Sequence, residues 1–200
     1  MDVLTSLALG VCLSAACGFR VFAPLLVLSA AGVTGHFTPA EELAWIASGP
    51  ALILFGTATL VEIAAYYIPW ADNLLDTLAT PAALVAGVLA SASVLGDFSP
   101  YLQWTLAAVA GGGAAGVVQA STVVVRGAST ATTGGAGNFV VATVENVLSI
   151  ATAVLALVVP LVVAAAVLVA ASLVWRWAVG RRRASEGVAR PAPDHGPVRP

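Results

Sequence analysis

From Asn138 to Val179 the chain passes with only Glu145, Asn146 and Arg176 as strongly polar side chains. A bilayer crossing takes about 20 apolar residues, so this run is too long for one crossing and too apolar for a soluble fold. It sets the frame for everything else. In hydrocarbon each backbone N–H and C=O must be satisfied within its own segment or a closed barrel, and nothing here has the period-2 pattern of a barrel strand. The expectation is an all-α, polytopic helical membrane bundle. Hydrophobic residues are 60% and charged residues 9% of the 200, with mean hydropathy +0.97, which excludes an ordinary soluble domain. The formal charge of -2 gives no reason to expect a nucleic-acid partner.

Taken in order, the apolar stretches predict about six spans at residues 3–32, 45–68, 80–96, 101–125, 138–158 and 161–179. A short interfacial helix is expected over 72–80, and a Pro-rich, charged, disordered cytoplasmic tail over 181–200. The first span is longer than it needs to be. Thirty helical residues reach about 45 Å against a hydrocarbon core of about 30 Å, so the span must tilt, protrude or break. Gly18 and Pro24 bracket Arg20 at the expected break. The last long run is divided at Val159-Pro160. The N-terminus reads as a retained span, because Asp2 stands where a signal peptide carries basic residues.

Basic residues give the orientation. All eight are Arg, and Arg126, Arg176 and Arg181 to Arg183 fall on one side in a six-span arrangement, which is then cytoplasmic. Both termini lie on that side, in a cell (inner) membrane. Trp45, Trp70, Trp104, Trp175 and Trp177 all sit at span ends, where an aromatic belt belongs. A weak echo between Val61-Glu62 and Val144-Glu145 leaves room for two inverted three-helix halves.

The functional signal is a buried polar layer. Glu62, Gln119 and Glu145 each lie six or seven residues from the cytoplasmic end of a span, at a common depth of about 9–11 Å. Tyr66 shares the face of Glu62, Ser149 that of Glu145, and Arg126 that of Gln119, while Asn138 opens the fifth span. Arg20 is the natural counter-ion, and pairing with either glutamate is open. Intramembrane ionisable groups mark permeation paths, so Arg20, Glu62, Tyr66, Gln119, Arg126, Asn138, Glu145 and Ser149 are the candidate pathway for a small solute or ion. The competing reading is a structural or accessory protein whose charges only fix helix packing.

Other constellations carry less. Asp72 and Asp76, four apart, share a helical face where two carboxylates form a cation or interfacial site, although a helix cap with a solvated face explains them as well. The run from Gly127 to Gly137 reads as a flexible Gly/Thr loop without a Walker lysine. Cys12 and Cys17, five apart, point to different faces and read as small packing residues. His36 and His195 stand alone. No catalytic triad can be assembled, so the chain is not expected to be an enzyme, and no metal or other cofactor is called for. The expected partners are the bilayer, an unidentified solute or ion and, as an open option, further copies of the chain.

Long motifs add a resemblance. C-G-F-R-V-F-A-P-L-L from Cys17, E-I-A-A-Y-Y-I-P-W-A-D-N-L-L-D-T-L-A-T-P from Glu62, A-S-V-L-G-D at Ala92, A-G-G-G-A-A-G-V-V-Q from Ala110 and S-T-A-T-T-G-G-A-G-N-F-V-V-A-T-V-E-N from Ser129 resemble a family of bacterial integral membrane proteins. That family is the domain of unknown function 4126. The resemblance covers about Leu7 to Trp177 and implies a multi-pass bacterial membrane protein, with no activity, substrate or catalytic residue attached. Its motif-rich segments coincide with the polar layer.

Overall fold

A computed structural model describes residues 2–170, 172, 173 and 176, with the backbone alone at 69–74 and 76. The expected tail at 181–200, the end of the sixth span and the Arg181 to Arg183 cluster lie outside the described residues, as do the Trp70, Asp72, Asp76, Trp175 and Trp177 side chains. The described residues are mostly helical, with no strand among them. The chain divides into two compact units, Met1–Ala164 and Ala165–Pro200, and the polar candidates from Arg20 to Ser149 all fall in the first.

The expected break is real. Helix α1 runs Val3–Phe19 and α2 runs Ala23–Val33, with Arg20 in extended conformation between them. Asp2 caps α1, taking the Thr5 N–H at 2.8 Å and the Thr5 hydroxyl at 2.9 Å, and these bonds hold its carboxyl below the usual range. A 3-10 turn, Glu41–Ala47, leads into α3, Gly49–Tyr66, which has Ser48 at its N-cap and Pro50 in its first turn. Helix α4 spans Pro69–Val94.

Here the structure departs from the sequence reading. Residues 72–80 are not a separate interfacial helix but the first part of α4, and Thr80-Pro81 is not a start signal. Pro81 sits inside the helix, as membrane helices tolerate when neighbours re-satisfy the freed carbonyl.

Helix α5, Pro100–Leu106, passes through a π-helical segment, Ala107–Gly112, into α6, Gly113–Thr133. The continuous apolar helix Pro100–Thr133 has 34 residues, about 51 Å at 1.5 Å each, so it overruns the bilayer core. The expected Gly/Thr loop is therefore mostly helix. Its hydroxyls bond back to the preceding turn, Thr132 to the Ala128 carbonyl at 2.8 Å and Thr133 to that of Ser129 at 2.7 Å, and so stay compatible with it. Gly134, at φ 64°, ends the helix with its N–H on the Thr130 carbonyl. Helix α7 is Asn138–Val158, and after Val159 a further apolar helix, Pro160–Ala170, begins.

Among the described residues, α3, Thr77–Val94, the α5–α6 rod and α7 are each long and apolar enough to cross a membrane. Their outward residues are large and apolar, with Ile53, Leu60, Val109 and Val158 each more than 70% exposed. The interior is rich in small and polar residues, which pack beside buried Leu13, Leu28, Ile46 and Leu95. Helix α1 is the central element, packed against α4, α6 and α7, while α2 packs on α3 and α7. Small residues bring α1, α4 and the π segment together. The Ser14 hydroxyl donates to the Gly87 carbonyl at 2.6 Å, and a Cβ at Gly87 would stand 2.6 Å from that of Ala115.

Gly87→Val places two further methyl groups where no side chain fits. Thermal unfolding in detergent should show a loss of at least about 1–3 kcal/mol, the usual cost of overpacking, whereas Gly113→Val, in open space, should leave the melting temperature near that of the native chain.

Candidate functional site: a closed charge cluster at a broken helix

Interrupting α1 and α2 frees carbonyls at one end and N–H groups at the other, and both sets are answered by side chains. The carboxylate of Glu62 accepts the Val21 N–H at 2.8 Å and the Phe22 N–H at 3.1 Å. These N–H groups stand at the entry to α2, Phe22 being its N-cap, where the helix dipole is positive, so a carboxylate is the favoured occupant. At the other end the Ala16 carbonyl takes the Arg20 N–H at 3.2 Å and the Ser149 hydroxyl at 2.9 Å. The Arg20 guanidinium folds back onto the Phe19 carbonyl at 3.2 Å, placing a cation at the negative end of α1.

The open choice of partner for Arg20 is thereby resolved. Glu62 is engaged by backbone, and Arg20 forms its ion pair with Glu145, Nη1 to Oε2 at 3.0 Å. It also donates to the Ala142 carbonyl at 3.0 Å and to the Asn146 side-chain oxygen. Arg126 meets Glu145 from α6. Its Nε lies 3.2 Å from each carboxylate oxygen and its Nη2 also bonds Oε2. Two guanidiniums thus share one carboxylate. Both rest on the Tyr66 ring, with Cζ 3.9 Å (Arg20) and 4.3 Å (Arg126) from its centroid. The side chains of Arg20, Arg126 and Glu145 are 1%, 3% and 5% exposed. With Glu62 included, two positive and two negative formal charges cancel.

The candidate residues divide accordingly. Arg20, Tyr66, Arg126 and Glu145 meet directly, and Glu62 holds the break beside them. Gln119 is buried on the face of α6 that carries Thr122 and Arg126. Ser149 serves the end of α1, not the charges. Asn138 binds Thr130 at 3.1 Å, at the turn between α6 and α7. Asn146 is a cluster member that sequence reasoning missed, and its adjacency to Glu145 was the available signal. The centre of the expected polar layer is occupied by the two guanidiniums themselves. The open space nearby is apolar-walled: a groove of about 280 Å³ reaches Glu145, and another of about 480 Å³ reaches Glu62. Among the described residues, no group of three or more His, Cys, Asp or Glu converges in a way that suits a metal ion.

A helical membrane protein whose first apolar helix is broken around buried, mutually neutralised charges is the class these observations define. A family model described as "Domain of unknown function (DUF4126)" matches residues 7–179, so the chain belongs to that family. No curated protein and no solved structure matches it.

Glu62 can be tested by what it accepts. Glu62→Ala leaves two buried N–H groups without an acceptor and should cost roughly 2–6 kcal/mol, at about 1–3 per orphaned group. Glu62→Gln keeps one acceptor oxygen and should lose about half as much. Chemical or thermal unfolding of the two variants in the same detergent measures the difference.

Proposed function

We propose that this protein is a transporter or channel for a small solute or ion, with the path running through the layer of Arg20, Tyr66, Arg126 and Glu145. The observation that carries the reading is the interrupted helix Val3–Phe19/Ala23–Val33 with charge concentrated at the interruption. Unwound backbone inside a membrane is tolerated where it lines a site, and half-helix ends of this kind hold substrates and coupling ions in many transporters. The π segment beside α1 and α4 supports the reading, since such segments gather at functional sites. We place the protein in the cytoplasmic membrane with both termini inside, on the strength of Arg176 and the Arg181 to Arg183 cluster.

A second reading has its own observation. The four charges are closed on one another and on backbone groups, which is what a purely structural staple looks like. Flux separates the two. Proteoliposomes given a hyperosmotic shift with a panel of small neutral, cationic and anionic solutes should re-swell faster than empty liposomes for at least one of them. Arg126→Gln should abolish the effect while size-exclusion profile and helical content persist. If no solute exceeds the empty-liposome rate and the substitution only lowers the melting temperature, the staple reading stands and transport falls.

A further inference from the structure

We infer that the Arg20–Arg126 pair is a receptor for a carboxylate carried on an apolar chain, and that Glu145 is its internal occupant in the closed cluster. As a substrate assignment this rests on the transport reading of the same cluster.

Three observations lead there. First, the donors are arranged for one carboxylate. Arg20 Nη1 lies 3.0 Å from Glu145 Oε2, and Arg126 Nε is 3.2 Å from both oxygens. A guanidinium fork is matched to this planar acceptor in shape and charge. Second, both guanidiniums turn to Glu145 while Glu62 stays on the Val21 and Phe22 N–H groups, so the neutral set becomes positive by one charge once Glu145 is displaced and protonated. An anion is therefore favoured over a cation. Third, the way in is apolar. The groove of about 280 Å³ that reaches Glu145 is walled by Phe19, Val125, Val141, Val144 and Leu148. Val125, Val144 and Leu148 are 52%, 51% and 42% exposed, so the groove opens on the flank of α6 and α7 that lipid covers. A free acetate ion has nothing to place against those walls, whereas an amphiphile dissolved in the bilayer has a tail for the groove and a head for the arginines.

Exchange of one carboxylate for the other fixes the proton. Once displaced, Glu145 would be a buried charge without partners, so it must take up a proton as the anion enters. One proton and one anion arrive together and the charge of the site is unchanged. The titratable and charged groups around Glu145 are Arg20 at the break, Arg126 on α6, and Tyr66 and Glu62 on α3, with the Cys17 thiol of α1 near Glu62. Arginine, tyrosine and thiol groups ordinarily titrate above neutral pH, which leaves Glu62 as the carboxylate to control for.

The test uses the full chain in nanodiscs of zwitterionic lipid, with dansyl-labelled undecanoic acid as a fluorescent probe and empty nanodiscs as reference. Saturable binding should tighten as pH falls, by up to about tenfold per unit for one coupled proton. Decanoate should displace the probe, and acetate and decyltrimethylammonium at equal concentration should not. Glu145→Gln removes the internal competitor, so it should bind more tightly than the native chain and lose the pH dependence, while Glu62→Gln should keep it. Should Glu145→Gln fail to fold, the native pH series remains decisive, together with Val144→Trp, which fills the groove and should abolish binding without lowering the melting temperature. The inference is overturned by an absence of saturable binding, by binding indifferent to pH, by equal displacement with acetate, or by displacement with the ammonium but not with decanoate. Binding without flux would remove the transport reading alone. Flux of another solute without binding would remove this assignment alone.

Discussion

The structure depends on two hydrogen bonds from the backbone of Val21 and Phe22 to the carboxylate of Glu62. A helix that stops inside a membrane exposes donors and acceptors that lipid cannot satisfy, at several kcal/mol for each group left alone. Here one side chain on α3 takes the donors of the second half-helix. That leaves the acceptor end of the first half-helix for Arg20 and Ser149. Each charge is at the end its helix dipole favours. From that arrangement the rest follows: Arg20, held at the break, needs an anion, Glu145 supplies it, and Arg126 balances the set.

Packing explains why the cluster can be so compact. Van der Waals fit, not the hydrophobic effect, holds helices together in lipid, and close approach needs small residues. Ser14, Gly87, Ser91, Gly111 and Ala115 supply it where α1 meets α4 and the π segment. A Cβ at Gly111 would lie 2.9 Å from the Gly87 carbonyl, so the two backbones touch. With α1 fixed this tightly at its centre, its C-terminal end and Arg20 are held against α6 and α7. Most of the large apolar residues face outward, the reverse of a soluble protein.

Much of this was legible in the sequence, for definite reasons. Charges are so disfavoured in apolar runs that Arg20, Glu62 and Glu145 announce themselves by type alone, and Gly18 with Pro24 marks the break between them. The choice of partner was not legible. Spacing places Glu62 and Glu145 at one depth but says nothing about backbone donors, which appear only once the helix has broken. Arg126 is correctly placed on the stripe of Gln119, yet its sequence neighbours look like a loop, because Ser and Thr are poor helix formers unless their hydroxyls bond back into the turn. Thr80-Pro81 misleads for the opposite reason: a good start signal in water is here an interior position of a continuous helix. Asn146 stood out as polar but not as a member of the site, since a neutral amide carries no penalty large enough to demand a partner.

A double-substitution cycle in unfolding free energy at Arg126 and Glu145 tests the central claim most directly. Arg126→Gln leaves the buried set with one excess negative charge, Glu145→Gln leaves it with one excess positive charge, and the two together restore neutrality. The double variant should be more stable than either single one, with a coupling energy at or above the roughly 0.5–3 kcal/mol typical of residues in direct contact. Losses that simply add would mean that Arg126 and Glu145 do not share a charge balance, and that the closed cluster does not exist in the membrane.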